Sequence, residues 1–177
     1  AGDDAQYDAL FRSCGVMRVQ EPSELVAVAK LYLGCGAPAG RGMGIVSVSG
    51  GGCSIVTDKA VASGLEVPRV SQRAEDEMNA HLSFGGAFNP CDLTGEIAKN
   101  GGLAGAITDV LGRQPEVDLV VYARKGLTGT IGESAAASLV EAAARPGAAP
   151  LAVYALDGSV DRAEELAVWQ EGRVPVF

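Results

Sequence analysis

The sequence predicts an α/β protein with a mostly parallel sheet and helices on both faces, and three observations carry that expectation. From about residue 43 onward, short apolar runs alternate regularly with helical segments, the pattern that forces parallel pairing through crossover connections. Val117–Ala123 is a near-continuous apolar run, as expected of a strand covered on both sides. Hydrophobic residues make up 47% of the chain and aromatics only 5%, while 24 glycines and many alanines allow helices to pack closely on a sheet. A length of 177 residues suits one ordinary domain, or one domain with an appendage.

Taken in order, Asp3 and Asp4 suit a helix N-terminus, and Tyr7, Leu10 and Phe11 share a face, so a first helix runs to about Ser13 and ends at Gly15. A short strand, Val16–Val19, follows. Pro22 in the first turn, with Leu25, Val28, Ala29 and Tyr32 at helical spacing, marks a second helix. The glycine-rich stretch 35–42 reads as a linker, dividing 1–34 from 43–177. Strand Met43–Ser49 then runs into Gly50-Gly51-Gly52 and a helix to about Ser63. Strand Glu66–Val70, helix Gln72–Leu82, a loop Phe84–Gly95, and helix Leu103–Leu111 lead to strand Val117–Ala123. Helix Glu133–Ala144, strand Leu151–Leu156, helix Val160–Gln170 and terminal strand Val174–Phe177 complete the pattern. In such sheets, ligands are expected beyond the carboxyl ends of the strands.

Charge and cysteine content exclude several functions. Fourteen basic against 22 acidic residues give a net charge of −8, and no cationic cluster exceeds Arg124–Lys125, so nucleic-acid and anionic-membrane footprints are missing. Cys14, Cys35, Cys53 and Cys91 lack zinc spacing, so no metal site is expected, and reduced thiols point to the cytoplasm. There is no secretory or transmembrane segment. The chain does not open on Met, consistent with processing or with a piece of something longer.

Chemistry is expected where a strand runs through a glycine loop into a helix. Ser49, Gly50, Gly51, Gly52, Cys53 and Ser54 form a candidate phosphate cradle, because glycines admit close approach and the first helical N–H groups point outward. The helix dipole adds about half a positive charge, worth ~0.3–2 kcal/mol to an anion. The loop is neither a Walker A sequence nor a dinucleotide fingerprint. A tight turn that merely lets the helix pack is an equal alternative.

Together with this loop, Gly44-Ile45-Val46-Ser47-Val48-Ser49, Thr57-Asp58, Gly64-Leu65, Asn89-Pro90-Cys91-Asp92-Leu93-Thr94-Gly95, Pro150–Tyr154 and Arg173–Phe177 carry a resemblance. They are similar to the last flavodoxin-like subdomain of the CoA-ligase part of NDP-forming acyl-CoA synthetases, whose relatives include ADP-forming acetyl-CoA synthetase and succinyl-CoA synthetase. Ala1–Asp4, Tyr7–Phe11, Gly15–Val19 and Glu24-Leu25 resemble the end of the preceding, histidine-bearing subdomain. The resemblance implies a flavodoxin-like, succinyl-CoA synthetase-like fold and an acid–CoA ligase working through acyl phosphate and phosphohistidine. It implies no catalytic residue here, since the phosphohistidine is expected upstream of Ala1. The helix after Gly52 would face phosphate. No cofactor is expected on this segment alone; CoA, ATP or ADP, and Mg belong to the parent enzyme. Implied partners are the ligase's other subdomains or subunit and phosphate or acyl phosphate, with a homodimer as a further arrangement.

Around Ala123–Thr130 the family's Thr-Pro loop is replaced by two adjacent cations, Arg124 and Lys125, read either as a solvated surface pair or as contacts to phosphate or carboxylate. Asn89 and Asp92 order their loop by Asx-type bonds or touch ligand. His81, the single histidine, falls on a polar helix outside any His-Thr-Gly context and is read as structural or superficial. Cys53 is read as a small buried residue, against a thiol activated by a helix N-terminus. Asp58 is a surface or supporting group, and Trp169, in register with Leu166 and Ala163, packs in the core or at an interface. Two other functions compete: a stand-alone module for FMN or a phosphorylated metabolite, disfavoured by the lack of an aromatic near the loop, and a docking module without chemistry.

Overall fold

The computed structural model describes residues 3–83, 86–125, 129–157 and 163–177. Four parallel strands, β1 (Met43–Ser47), β2 (Cys91–Asp92), β3 (Leu119–Arg124) and β4 (Leu151–Ala155), lie in the order β2-β1-β3-β4. The register Val46↔Cys91, Val46↔Tyr122 and Tyr122↔Val153 sets the carboxyl ends of all four side by side. The helices are α1 (Asp4–Ser13), α2 (Pro22–Cys35), α3 (Gly50–Ala62), α4 (Gln72–Asn79), α5 (Gly102–Gly112), α6 (Gly129–Ala143) and α7 (Ala163–Glu171), with a short 3-10 helix at Thr94–Ala98.

Strand alternation divides the core into two layers. Val46, Val120, Tyr122, Leu151 and Val153 face one side, where Met78 of α4, Ile107 and Leu111 of α5, Leu139 of α6 and Trp169 of α7 complete a large cluster. Met43, Ile45, Val121 and Ala123 face the other side, beneath Val56 and Ala60 of α3. All five residues of β1 are buried, which is why its run shows no polar alternation. Helices α5 and α6 meet closely because both carry small residues: a Cβ on Gly101 would stand 2.8 Å from the Ser134 Cβ, and one on Gly105 2.7 Å from the Ser138 Cβ. On the buried Asp109 of α5, Oδ2 pairs with Arg145 at 2.7 Å and Arg113 at 3.2 Å, while Arg113 reaches Glu77 of α4 at 2.7 Å.

Several expected elements change. Val16–Val19 forms no strand, since nothing pairs with it among the described residues. Glu66–Val70 reduces to one bridge, Gly42↔Glu66, and Val174–Phe177 to one, Val153↔Val176, although three backbone hydrogen bonds of 2.8–2.9 Å still run this last segment along β4. Pro68 and Pro175 each remove a donor from these segments. Helix α2 continues to Cys35, so Cys35 is helical rather than linker. Helix α4 stops at Asn79, which leaves His81 in the turn beyond it, and the expected loop before Gly95 contains β2. Ala1 and Gly2, Phe84 at the head of that loop, Gly126, Leu127 and Thr128 after β3, and Val160 at the expected start of the last helix lie outside the described residues.

Neither α1 nor α2 buries a residue, and Tyr7, Leu10, Met17, Leu25, Val26 and Leu33 stay exposed. Helix α2 nonetheless touches the body: Lys30 donates to the Val176 carbonyl at 2.6 Å, and its ammonium lies 5.2 Å from the centre of the Phe177 ring.

Candidate functional site

Strand β1 delivers the chain to its carboxyl end at Ser47, and Ser49 then caps α3 in an extended conformation, φ −158° and ψ 147°. The Ser49 hydroxyl accepts from the Gly52 N–H at 3.2 Å, and its carbonyl accepts from Cys53 at 3.1 Å. Ser54 turns its hydroxyl back to the Gly50 carbonyl at 3.1 Å. Among the described residues, the N–H groups of Gly50 and Gly51 take no partner. Those two donors, with the helix dipole behind them, are what the loop can offer an anion.

The three glycines do different work. A Cβ on Gly52 would collide with the Ser47 hydroxyl and stand 2.8 Å from Leu156 Cδ1, so here the backbone approaches other protein atoms and glycine lets α3 pack on the sheet. At Gly51 nothing lies within 4 Å of such a carbon, so this face of the loop is open. Beside Gly50 lies Asp92, whose Oδ2 would be 3.2 Å from an added Cβ and whose Oδ1 accepts from Thr94 N–H at 2.8 Å. A carboxylate therefore already stands near the start of the helix.

Asn89 is buried and its amide acts as a missing strand residue. It accepts from Ile45 N–H at 2.9 Å and donates to the carbonyls of Met43 and Pro68, both at 2.9 Å. The edge of β1 between its bridges to Glu66 and Cys91 is thus satisfied by a side chain.

The two adjacent cations separate. Lys125 is exposed, but Arg124 is only 5% exposed, so the solvated-pair reading fails for it: strand alternation turns Arg124 onto the α7 side, where Nη2 meets Glu165 Oε2 at 3.2 Å. Glu165 Oε1 also accepts from Trp169 Nε1 at 3.4 Å, which places Trp169 in the core. Arg124 Nε and the Tyr122 hydroxyl are buried without a partner among the described residues. Sequence reasoning missed Glu165; its only signal was a carboxylate four residues before a tryptophan on a helical face.

His81 and Asp58 are exposed. Among the described residues no group of three or more His, Cys, Asp or Glu is arranged to hold a metal, and no helix is long and apolar enough to cross a membrane. An apolar groove of about 400 Å³ between α2 and α3 is lined by Val28, Leu31, Met43, Lys59 and Phe177.

The thiols are set for inertness rather than catalysis. Burial pushes Cys53 up to about 12, helped by the charge of Asp92, and burial likewise raises Cys91 to about 12. At pH 8 both are protonated, and the exposed Cys14 is expected to react with a thiol reagent at least tenfold faster than either. Mass-mapped alkylation checks this, and fast labelling of Cys53 would contradict the packing around the loop.

No family model matches the chain. The alpha subunit of ADP-forming acetate–CoA ligase I from Pyrococcus furiosus is 27% identical over the whole chain, which spans 38% of that subunit. A crystal structure of a Pyrococcus horikoshii OT3 protein superposes on the whole chain with a TM-score of 0.83 at 19% identity, over 41% of its own length. Dinucleotide-forming acetyl-coenzyme A synthetase 1 of Candidatus Korarchaeum cryptofilum, known without ligand and with phosphate and ADP, superposes with a TM-score of 0.82 at 20% identity, the chain covering 38% of it. These superpositions show a shared fold. Along its full length the chain is thus similar in sequence to one segment of an ADP-forming acetate–CoA ligase subunit, the kind of enzyme its motifs resemble, and it shares the fold of the solved structures.

Proposed function

We propose that this chain works as part of an NDP-forming acid–CoA ligase and that the amino end of α3 faces the phosphoryl group in transit. The observation that carries the reading is the N–H pair of Gly50 and Gly51, unpartnered among the described residues, at the carboxyl edge of a parallel sheet in a chain similar to a subunit of such a ligase. Preorganised donors can stabilise transferring oxygens without reorganising, and positioning with electrostatics is nearly all that phosphoryl transfer asks of protein. Ser49 and Gly52 shape the turn, while the Cys53 N–H and the Ser54 hydroxyl brace it by donating to the Ser49 and Gly50 carbonyls. Asp92, beside Gly50, limits affinity by its charge and keeps the site weak when inorganic phosphate is the only ligand.

The acid, CoA, nucleotide and Mg are assigned to other regions of a cytoplasmic parent, as is the phosphohistidine. Residues 1–34 are assigned to the preceding subdomain, a reading supported by the absence of buried residues in α1 and α2.

Titrating the 177-residue chain with inorganic phosphate is expected to shift the amide signals of Gly50 and Gly51 before those of other loops. Gly51→Val places its side chain in open space, so it should abolish these shifts while leaving the fold intact. Phosphate shifts that survive this substitution unchanged would remove the loop from consideration.

A further inference from the structure

The two faces of the sheet are covered unequally. Helices α4, α5, α6 and α7 close one face, where Val120, Tyr122 and Val153 are at most 2% exposed. On the other face α3 supplies the buried packing, and there Val121 keeps 8% exposure while Leu119 and Tyr154 are only half-buried. This face is the floor of the groove of about 400 Å³, with Val28 and Leu31 of α2 as one wall and Val56 and Lys59 of α3 as the other. The volume lies within the ~300–1,000 Å³ usual for small-molecule sites. A helix ~10 Å across would fill it in about one turn, so a single extended chain suits it better. Lys59 lines the groove and is also exposed, which assigns its methylenes to the wall and its ammonium to the rim. In a chain of net charge −8 it takes part in none of the ion pairs among the described residues.

We propose that this groove binds a free medium-chain fatty acid, its alkyl chain laid over Val121 and Tyr154 and its carboxylate at Lys59. The lining selects that chemistry: apolar floor and walls take hydrocarbon, and one unpaired cation at the rim takes one negative charge. The floor crosses β1, β3 and β4 through Met43, Val121 and Tyr154, about 10 Å at ~4.8 Å between neighbouring strands, which limits the chain to medium length. Until that floor is spanned, each methylene moved out of water strengthens binding about fourfold. The ion pair at an exposed rim adds only about threefold and sets which way the chain points. The groove shares no lining residue with Ser49–Ser54, so this site goes beyond the phosphate reading and does not rest on it.

The test follows the methyl signals of the full 177-residue chain during titration with hexanoate, octanoate and decanoate, each below its micelle concentration. Shifts are expected at Val28, Leu31, Val56 and Val121, with affinity rising about fourfold per added methylene. Lys59→Met keeps the wall and removes the charge, so it should weaken octanoate about threefold and leave octanol unchanged. Val28→Trp should fill the groove and abolish binding. No shift at these methyls, shifts confined to the exposed Leu25, Val26 and Leu33 of α2, or an affinity indifferent to chain length would each overturn the proposal. An equal loss of octanol and octanoate in Lys59→Met would overturn it too. Groove methyls that move with protein concentration and ignore octanoate would make a second copy the occupant, and that result also sinks it. The chain-length series in the unmodified chain decides the matter even if a variant fails to fold.

Discussion

Asn89→Ala is expected to be among the most destabilising single changes in this chain. It deletes the amide that serves the Ile45 N–H and the carbonyls of Met43 and Pro68, leaving the β1 groups in a fully buried strand where water cannot replace it. With ~1–3 kcal/mol for each of the two buried β1 groups left unsatisfied, the loss is on the order of 2–6 kcal/mol. That is a large share of a typical domain stability of ~5–15 kcal/mol. Urea denaturation should show the midpoint falling with little change in slope. Asn89→Asp keeps an acceptor for Ile45 but loses both donated bonds and buries a charge, so it should rescue nothing. A loss below ~1 kcal/mol for the alanine would mean that the segment around Pro68 closes over β1 by itself.

Gly105→Val is expected to have a comparable effect through packing alone. An added Cβ would collide with the Ser138 carbonyl oxygen and approach its Cβ to 2.7 Å, and neither belongs to the flexible end of a side chain. Helix propensity pulls the other way, since glycine inside a helix costs ~1 kcal/mol relative to alanine. Overpacking costs ~1–3 kcal/mol and occasionally more, and alanine already carries the colliding Cβ, so Gly105→Ala should be clearly destabilising and the bulkier valine more so. A thermal melt separates the outcomes: a valine variant as stable as the parent would show that α5 and α6 can part without cost.

What the sequence made legible followed from local pattern. The apolar run at Val117–Ala123 was read as a strand because burial on both faces leaves no polar alternation, and β3 lies there at Leu119–Arg124. The strand-to-helix turn at Ser49–Gly52 was visible for the same reason: a cap residue and glycines are local signals. Features that depend on distant partners were hidden. Glu66–Val70 looked like a strand, yet its place beside β1 is taken largely by Asn89, twenty-one residues from Pro68. Arg124 looked like half of a surface pair because its carboxylate partner lies on α7, beyond another strand and helix. Nor could a string of three glycines say that Gly52 serves packing while Gly51 faces open space.

The bare apolar flank of α1 and α2 also bears on how copies of this chain behave in solution. A net charge of −8 makes them repel one another, and at ~0.01 M salt that repulsion reaches ~30 Å, farther than contact between the exposed side chains of Leu25, Val26 and Leu33 requires. At ~0.15 M the range contracts to ~8 Å and the barrier thins just where the greasy surface begins to act. Colloidal stability is then governed by ionic strength, with salt working against dispersal rather than for it.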